Sequence, residues 1–417
     1  MSKNFSHTER RIASFLSQFP GVKSYAKKYY QWANYLLSKK NYSFQTNRRV
    51  NKISLHGQES FFGYYDKFPE KNQWVLFHSY SENTNQKPNK NTPVIIAGYN
   101  IASNEYRQFD KSFAYNWQQG SRLQWLDDDR FIFNDVDKGQ QKYISKIFNI
   151  QSSKVETIID FPVYDTNNSF ALSLNFKRLA ALNSDYGYYT IQPQESDIEN
   201  LKKDGIFYIG FNDQAVKLLL SFEDVIEIHK QQTMQQAQHK FNHIMISPDG
   251  KRFMFIHRWY KGGVKYDSLL VSDIDGNNLH CIADDGMVSH CFWKDNTTIF
   301  GYLRDIRFGN KYFLIDVLSG EKKVVGDDSI WRLGDGHPHI IGNDILFDTY
   351  PNKSRMQQLF LYNIENMNLE KVGEFYASMK FYENTRCDLH PRLSKDGSVI
   401  FIDSVHEGKR FLYRLTK

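Results

Sequence analysis

From residue 52 onward, short apolar runs alternate with tight polar turns, and one unit recurs: an apolar strand, a polar turn, a strongly β-type strand, then outer strands. The turns mark the units. Pro69-Glu70-Lys71-Asn72 precedes Trp74-Val75-Leu76-Phe77, and Asp127-Asp128-Asp129 precedes Phe131-Ile132-Phe133. Asn175-Phe176-Lys177 stands before Leu179-Ala180-Ala181-Leu182, and Ser247-Pro248-Asp249-Gly250 before Phe253-Met254-Phe255-Ile256. Lys294-Asp295-Asn296, Gly342-Asn343-Asp344 and Ser394-Lys395-Asp396-Gly397 lead into the last three such strands. Seven turns spaced about 45 to 70 residues apart match the period of propeller blades. The final unit stops after three strands at Phe411-Leu412-Tyr413-Arg414-Leu415, while Asn51-Lys52-Ile53-Ser54-Leu55 is spare at the front. Pairing the two would close the ring and remove both exposed edges. The predicted fold is all-β: a seven-bladed β-propeller over residues 50–417, closed by an N-terminal strand. A pair of β-sandwiches is the competing arrangement, but it leaves the spare strand at each end unexplained.

Ahead of the blades, residues 1–49 read as a basic, amphipathic helical arm. Ile12, Phe15, Leu16 and Phe19 form one apolar stripe, ended by Pro20-Gly21. A second stripe of Tyr25, Tyr29, Trp32, Tyr35 and Leu36 is interleaved with Lys23, Lys27, Lys28, Lys39 and Lys40. Formal net charge is +6, yet this arm alone carries ten Lys/Arg and one acid, so the blades are close to neutral. Aromatic and basic residues on one helix suit an anionic membrane surface, reached through residues 10–49. The alternative is an arm packed on the protein's own blades. Nucleic acid is not expected, because no binding motif accompanies the charge.

The three cysteines, Cys281, Cys291 and Cys387, are odd in number and widely spaced, which excludes a disulfide framework and fits a reducing compartment. No run of 18 apolar residues occurs, and the N-terminus lacks the apolar core of a signal peptide. The expected location is cytoplasmic, peripheral at the inner face of the membrane if the arm binds there. Aromatic content of 16% favours strands and sugar-contacting surfaces alike.

Candidate chemistry comes from the histidines. Superposed on their turns, His243 in the fourth unit and His390 in the seventh occupy the same position, three residues before the strand residues Ile246 and Leu393. His337 comes close in the sixth unit, Tyr65 matches in the first, and His290 lies one residue off in the fifth. The first strand of each blade lines the central channel, so these side chains should ring one mouth of it. In His337-Pro338-His339 an extended backbone would turn both imidazoles to the same side, and neutral imidazoles suit a borderline divalent metal. Just past the second strands come Arg258, Arg304 and Tyr350, with Arg392 beside His390. Arginines in such positions suit carboxylate recognition, although an ion-paired surface is their commoner use. No Gly-rich phosphate loop, CxxC pair, HExxH or GxSxG occurs, which removes support for nucleotide, zincin and serine-hydrolase chemistry.

This pattern resembles the oligogalacturonate lyase family, seven-bladed propellers that cleave uronate oligosaccharides by β-elimination. The resemblance implies a divalent metal, Mn²⁺ above others, on His337 and His339 with His290 as a third ligand, and His243 as the base. The family's glutamine ligand, three residues before the paired histidines, is Gly334 here, a vacancy that His390 or water would have to fill. The implied partner is an acidic glycan, with Tyr65, Arg258, Arg304, Tyr350 and Arg392 as substrate contacts. A cytoplasmic enzyme with a membrane-seeking arm would suit metabolism of a cell-surface polysaccharide such as a capsule. Two other functions remain: a non-catalytic propeller binding glycan or protein, and a glycoside hydrolase, for which Asp305, Asp348 and Asp403 are the candidate carboxylates.

Overall fold

A computed structural model describes residues 20–182 and 185–417. Seven antiparallel sheets follow one another along the chain, each a blade of a seven-bladed β-propeller. Ring closure follows the predicted scheme. Arg49–Ile53 pairs antiparallel with Phe411–Thr416 and becomes the outermost strand of blade seven, which tethers the front of the propeller to its end. A second fastening was not anticipated: Phe44–Thr46 adds a fifth strand to blade six, on Leu369–Tyr376. The segment that links the arm to the blades is therefore itself sheet.

The arm is helical over Pro20–Ser38. The apolar stripe from Ile12 to Phe19 lies outside the described residues. The helix is held to blade six through the Tyr35 and Tyr376 rings, 5.6 Å apart, and the segment after it through a hydrogen bond from the Tyr42 hydroxyl to Glu374.

One predicted strand is wrong. Phe176–Leu182 is a helix, and blade three runs instead through Asp165–Thr166, Phe170–Leu174, Gly205–Gly210 and Val216–Ser221. Asn175 explains the difference: its side-chain oxygen accepts from the backbone of Lys177 and Arg178 and so caps a run rich in good helix formers. The insertion that follows carries Asp185 and Tyr186 to the channel mouth.

Apolar residues from facing sheets fill the spaces between blades. Between blades four and five, for example, Met245, Leu269, Trp293 and Phe313 pack together, and the Trp293 indole donates to the Met245 carbonyl at 2.8 Å. Such wedges fix where each inner strand delivers its first residues. All three cysteines are free. Among the described residues no helix is long and apolar enough to cross a membrane.

Candidate functional site

The histidines do meet. The His290 and His337 rings are 4.1 Å apart, His337 and His390 4.5 Å, and His243 and His290 6.1 Å. All four are buried. His243 and His390, equivalent by turn superposition, also share a backbone conformation, with φ of 54° and 42°. A left-handed conformation is costly for a non-glycine residue, and its recurrence at two inner-strand entries marks a local geometry that aims the imidazole at the channel. At His243 the strand pairing slips between Asn242 and Met245, a bulge that frees the residue from the ladder.

Carboxylates orient the rings. His337 Nδ1 lies 2.9 Å from Asp348 Oδ1, and His290 Nδ1 3.1 Å from Asp335 Oδ1, whose other oxygen takes the Ser289 hydroxyl at 2.6 Å. His390 Nδ1 bonds the Gly63 carbonyl at 3.0 Å. Its Nε2 is buried and without a hydrogen-bond partner among the described residues. Ligand atoms of His337, Asp388 and His390 lie within 4.8 Å of one another. Burial works against charge on His337, but Asp348 outweighs it and raises that imidazole above its ordinary pKa. In His290 and His390 burial prevails and lowers the pKa, so these two rings are neutral donors at pH 7. Asp388 is pulled below the carboxylate range despite burial, chiefly by Arg386 and then His337.

His339 does not join them. The inner strand of blade six begins only at His339, so the two-residue alternation expected for His337-Pro338-His339 does not operate. His339 turns Nδ1 to the Tyr65 carbonyl at 2.8 Å and packs its ring on Phe292, and burial pushes its pKa down to about 4. The clustered histidines are His290, His337 and His390, with Asp388 beside them.

His243 faces Tyr64. The two are in hydrogen-bond contact through Nε2 and the phenol, while Nδ1 is buried without a partner among the described residues. Burial first, then the neighbouring Arg258 cation, push the His243 pKa well down. The turn superposition singles out Tyr65 and not Tyr64. The Tyr64 ring lies 4.9 Å from His390 and 6.0 Å from Tyr186, at the centre of the mouth. Tyr65 instead serves the wall, donating its hydroxyl to the Cys291 carbonyl at 2.9 Å.

The predicted substrate contacts divide. Arg392 is wholly buried and spans Asp403 at 2.9 Å, the Tyr64 carbonyl at 3.1 Å and the Gly63 carbonyl, so it anchors the 62–65 loop and cannot reach a ligand. Arg258 is ion-paired with buried Asp267 and donates to the Val288 carbonyl, close enough to act electrostatically on His243. Arg304 and Tyr350 line an open cleft of about 380 Å³ that has Asp335 in its wall, and the Tyr350 ring is 5.9 Å from His337. The three hydrolase carboxylates are engaged elsewhere: Asp305 with Arg307 and Lys322, Asp348 with His337, Asp403 with Arg392. They do not form an acid and base facing each other across a sugar.

Lys240 has no turn or repeat to single it out in the sequence. It is buried beside Arg258 on the blade-four ladder, its Nζ without a hydrogen-bond partner among the described residues and 5.3 Å from the Tyr260 ring centroid, and burial pushes its pKa down to about 6.

A seven-bladed propeller with a histidine-lined mouth is thus the class of protein that fold and site define. No family model matches the chain, and no curated protein is similar to it in sequence. Among solved structures it is similar to an oligogalacturonate lyase in complex with manganese, at 14% identity and TM-score 0.62, covering 91% of this chain and 95% of that one. An oligogalacturonate lyase from Vibrio parahaemolyticus is similar at 12% identity and TM-score 0.60, over 89% of this chain and 96% of that one. The resemblance drawn from the histidines therefore holds for the fold of the whole propeller.

Proposed function

We propose that the protein is a metal-assisted lyase that cleaves a uronate-containing glycan by β-elimination. The observation that carries this is the buried group of His337, Asp388 and His390, in which Nε2 of His390 has no hydrogen-bond partner among the described residues, with the His290 ring 4.1 Å from His337 and neutral His243 one blade further on. Those residues fit a divalent ion: imidazole nitrogens and one carboxylate, with Asp348 and Asp335 holding the rings by their outer nitrogens. His390 fills the ligand vacancy that Gly334 leaves, and Mn²⁺ is the ion favoured by the similar manganese-bound structure. When bound, the ion would act as a Lewis acid that draws charge from the uronate carboxylate.

The remaining chemistry belongs to side chains. In the tautomer that carries its proton on Nε2, toward the Tyr64 oxygen, His243 has a lone pair on Nδ1 to accept the C5 proton. The electron pair of the C–H bond forms the C4–C5 double bond, and the C4–O bond breaks to release the next sugar, whose oxygen takes a proton from solvent water. Burial, reinforced by Arg258, keeps His243 neutral, and Arg258, fixed by Asp267, stabilises negative charge developing nearby. No water needs activating, which suits a mouth whose candidate carboxylates are already engaged.

The test is incubation with uronate glycans, with and without Mn²⁺ and chelator, while following the far-ultraviolet absorbance of an unsaturated uronate. A chelator-sensitive chromophore is expected. Reducing ends without the chromophore would favour hydrolysis, and silence on every acidic glycan with no metal in the purified protein would favour a binding propeller.

The arm supports a membrane-surface role as a second element of this proposal. Tyr29 and Trp32, whose rings are 6.2 Å apart, are 72% and 49% exposed on the helix, and Leu37 at its C-terminal end is 88% exposed. Such exposed side chains, on an arm rich in lysine, suit an anionic lipid surface and a cytoplasmic, inner-face enzyme of cell-surface or capsule polysaccharide. Sedimentation with anionic but not neutral vesicles, lost in Trp32→Ser, is the expected result.

A further inference from the structure

The inward face of the same helix has a different neighbour. Tyr30, Gln31 and Asn34 form one wall of the 380 Å³ cleft. The opposite wall is built by blades five and six, with Tyr302 and Tyr350 supplying aromatic surface. Asp335 lines it too, and that carboxylate holds His290 of the histidine cluster. The cleft therefore lies beside the histidines, separated from them by Asp335 and Tyr350, and one of its walls comes from an element that belongs to no blade.

Its chemistry is that of a sugar-chain subsite. Aromatic faces alternate with amides, the combination that recognises a ring carrying both C–H faces and hydroxyls. Arg304, Lys353 and Arg355 add positive charge, and Asp335, already bound to Ser289 and His290, is the single carboxylate among the described lining residues. A volume of about 380 Å³ lies in the range of small-molecule sites, and the open side permits a chain to continue past it.

We propose that helix Pro20–Ser38 is part of the binding site: it completes a cleft for the acidic sugar residues adjoining the bond that is cut, so that the enzyme prefers long glycan chains to short ones. The proposal rests on the uronate reading for the identity of the sugar. Strands Phe44–Thr46 and Arg49–Ile53, pinned to blades six and seven, hold the helix in place to do this.

The experiment compares uronate oligosaccharides from dimer to hexamer on the full chain, on Tyr30→Ala and on Gln31→Ala, by calorimetric affinity and by turnover, with melting temperature as a check on folding. The two variants test one wall through different chemistry, so poor folding of one leaves the other informative. Affinity for the hexamer is expected to fall about two- to tenfold, with the dimer changed less. Variants that keep the full length preference, or a native chain that shows no length preference or binds no uronate oligomer, would overturn the cleft. Length-dependent binding that the variants lose, without any cleavage, would retain the cleft and sink the lyase reading instead.

Discussion

His337 and Asp348 are joined twice: one oxygen of Asp348 accepts both the Nδ1–H of His337, at 2.9 Å, and its backbone N–H, at 2.8 Å. The other oxygen accepts the backbone N–H of Leu389, the residue before His390, at 3.1 Å. One carboxylate thus sets the tautomer of His337 and the spacing between blades six and seven. Outer partners of metal-binding histidines typically influence affinity by about 10- to 100-fold. Asp348→Asn is expected to weaken Mn²⁺ binding by a factor in that range, read by competition with a chelator of known affinity. Unchanged affinity would place the metal elsewhere.

His243 touches Tyr64 and not the metal-holding group, so its removal should separate chemistry from binding. His243→Gln is expected to lower kcat by about 10²- to 10⁴-fold, as loss of a general base does, with metal content unchanged by elemental analysis. Metal lost along with activity would make His243 a ligand.

Arg392 tests the division between wall and contact. Removing one partner of a buried ion pair costs about 3–5 kcal/mol, and here Asp403 would also lose a neighbour that helps seat the 62–65 loop. Arg392→Met should therefore lower the unfolding free energy by roughly that amount in denaturant titration. A normal stability with a raised KM would restore it as a substrate contact.

Several buried histidines make the fold acid-sensitive. Burial is the main cause that pushes His78 down to about 3, and His239 and His406 to about 4. Each binds a proton near pH 6.5 when unfolded and only near pH 3 to 4 when folded. The unfolded state therefore takes up protons first, and stability is full above pH 6.5 and falls as pH drops toward 4. A tenfold difference in proton affinity between the two states corresponds to about 1.4 kcal/mol, so the loss should be plain in denaturant midpoints measured at pH 7, 6, 5 and 4. A midpoint that rises on acidification would contradict this origin.

The blade count and the closing strand were legible because turns and strand alternation are local signals, repeated seven times. The histidines of blades four and seven were legible for the same reason, and their shared left-handed φ shows that the superposition was structurally sound. A further repeat is local as well: Asp335-Gly336-His337-Pro338 and Asp388-Leu389-His390-Pro391 share the form Asp-x-His-Pro, a signal that points to both aspartates. The false strand at Leu179 arose because an apolar run of four does not distinguish strand from helix, and a single capping side chain, Asn175, decides.

What the sequence by itself determined is which blades carry imidazoles and roughly where along each inner strand they stand, since period and turn spacing are encoded residue by residue. Only the tertiary structure decided which side chains converge. His339 left the group because its strand starts at that residue, and Asp388 entered it from the neighbouring blade. Arg392 became an anchor because a loop from the far end of the chain packs over it. Contacts between residues hundreds of positions apart depend on how the closed ring brings blades together, and no local pattern along the chain encodes that.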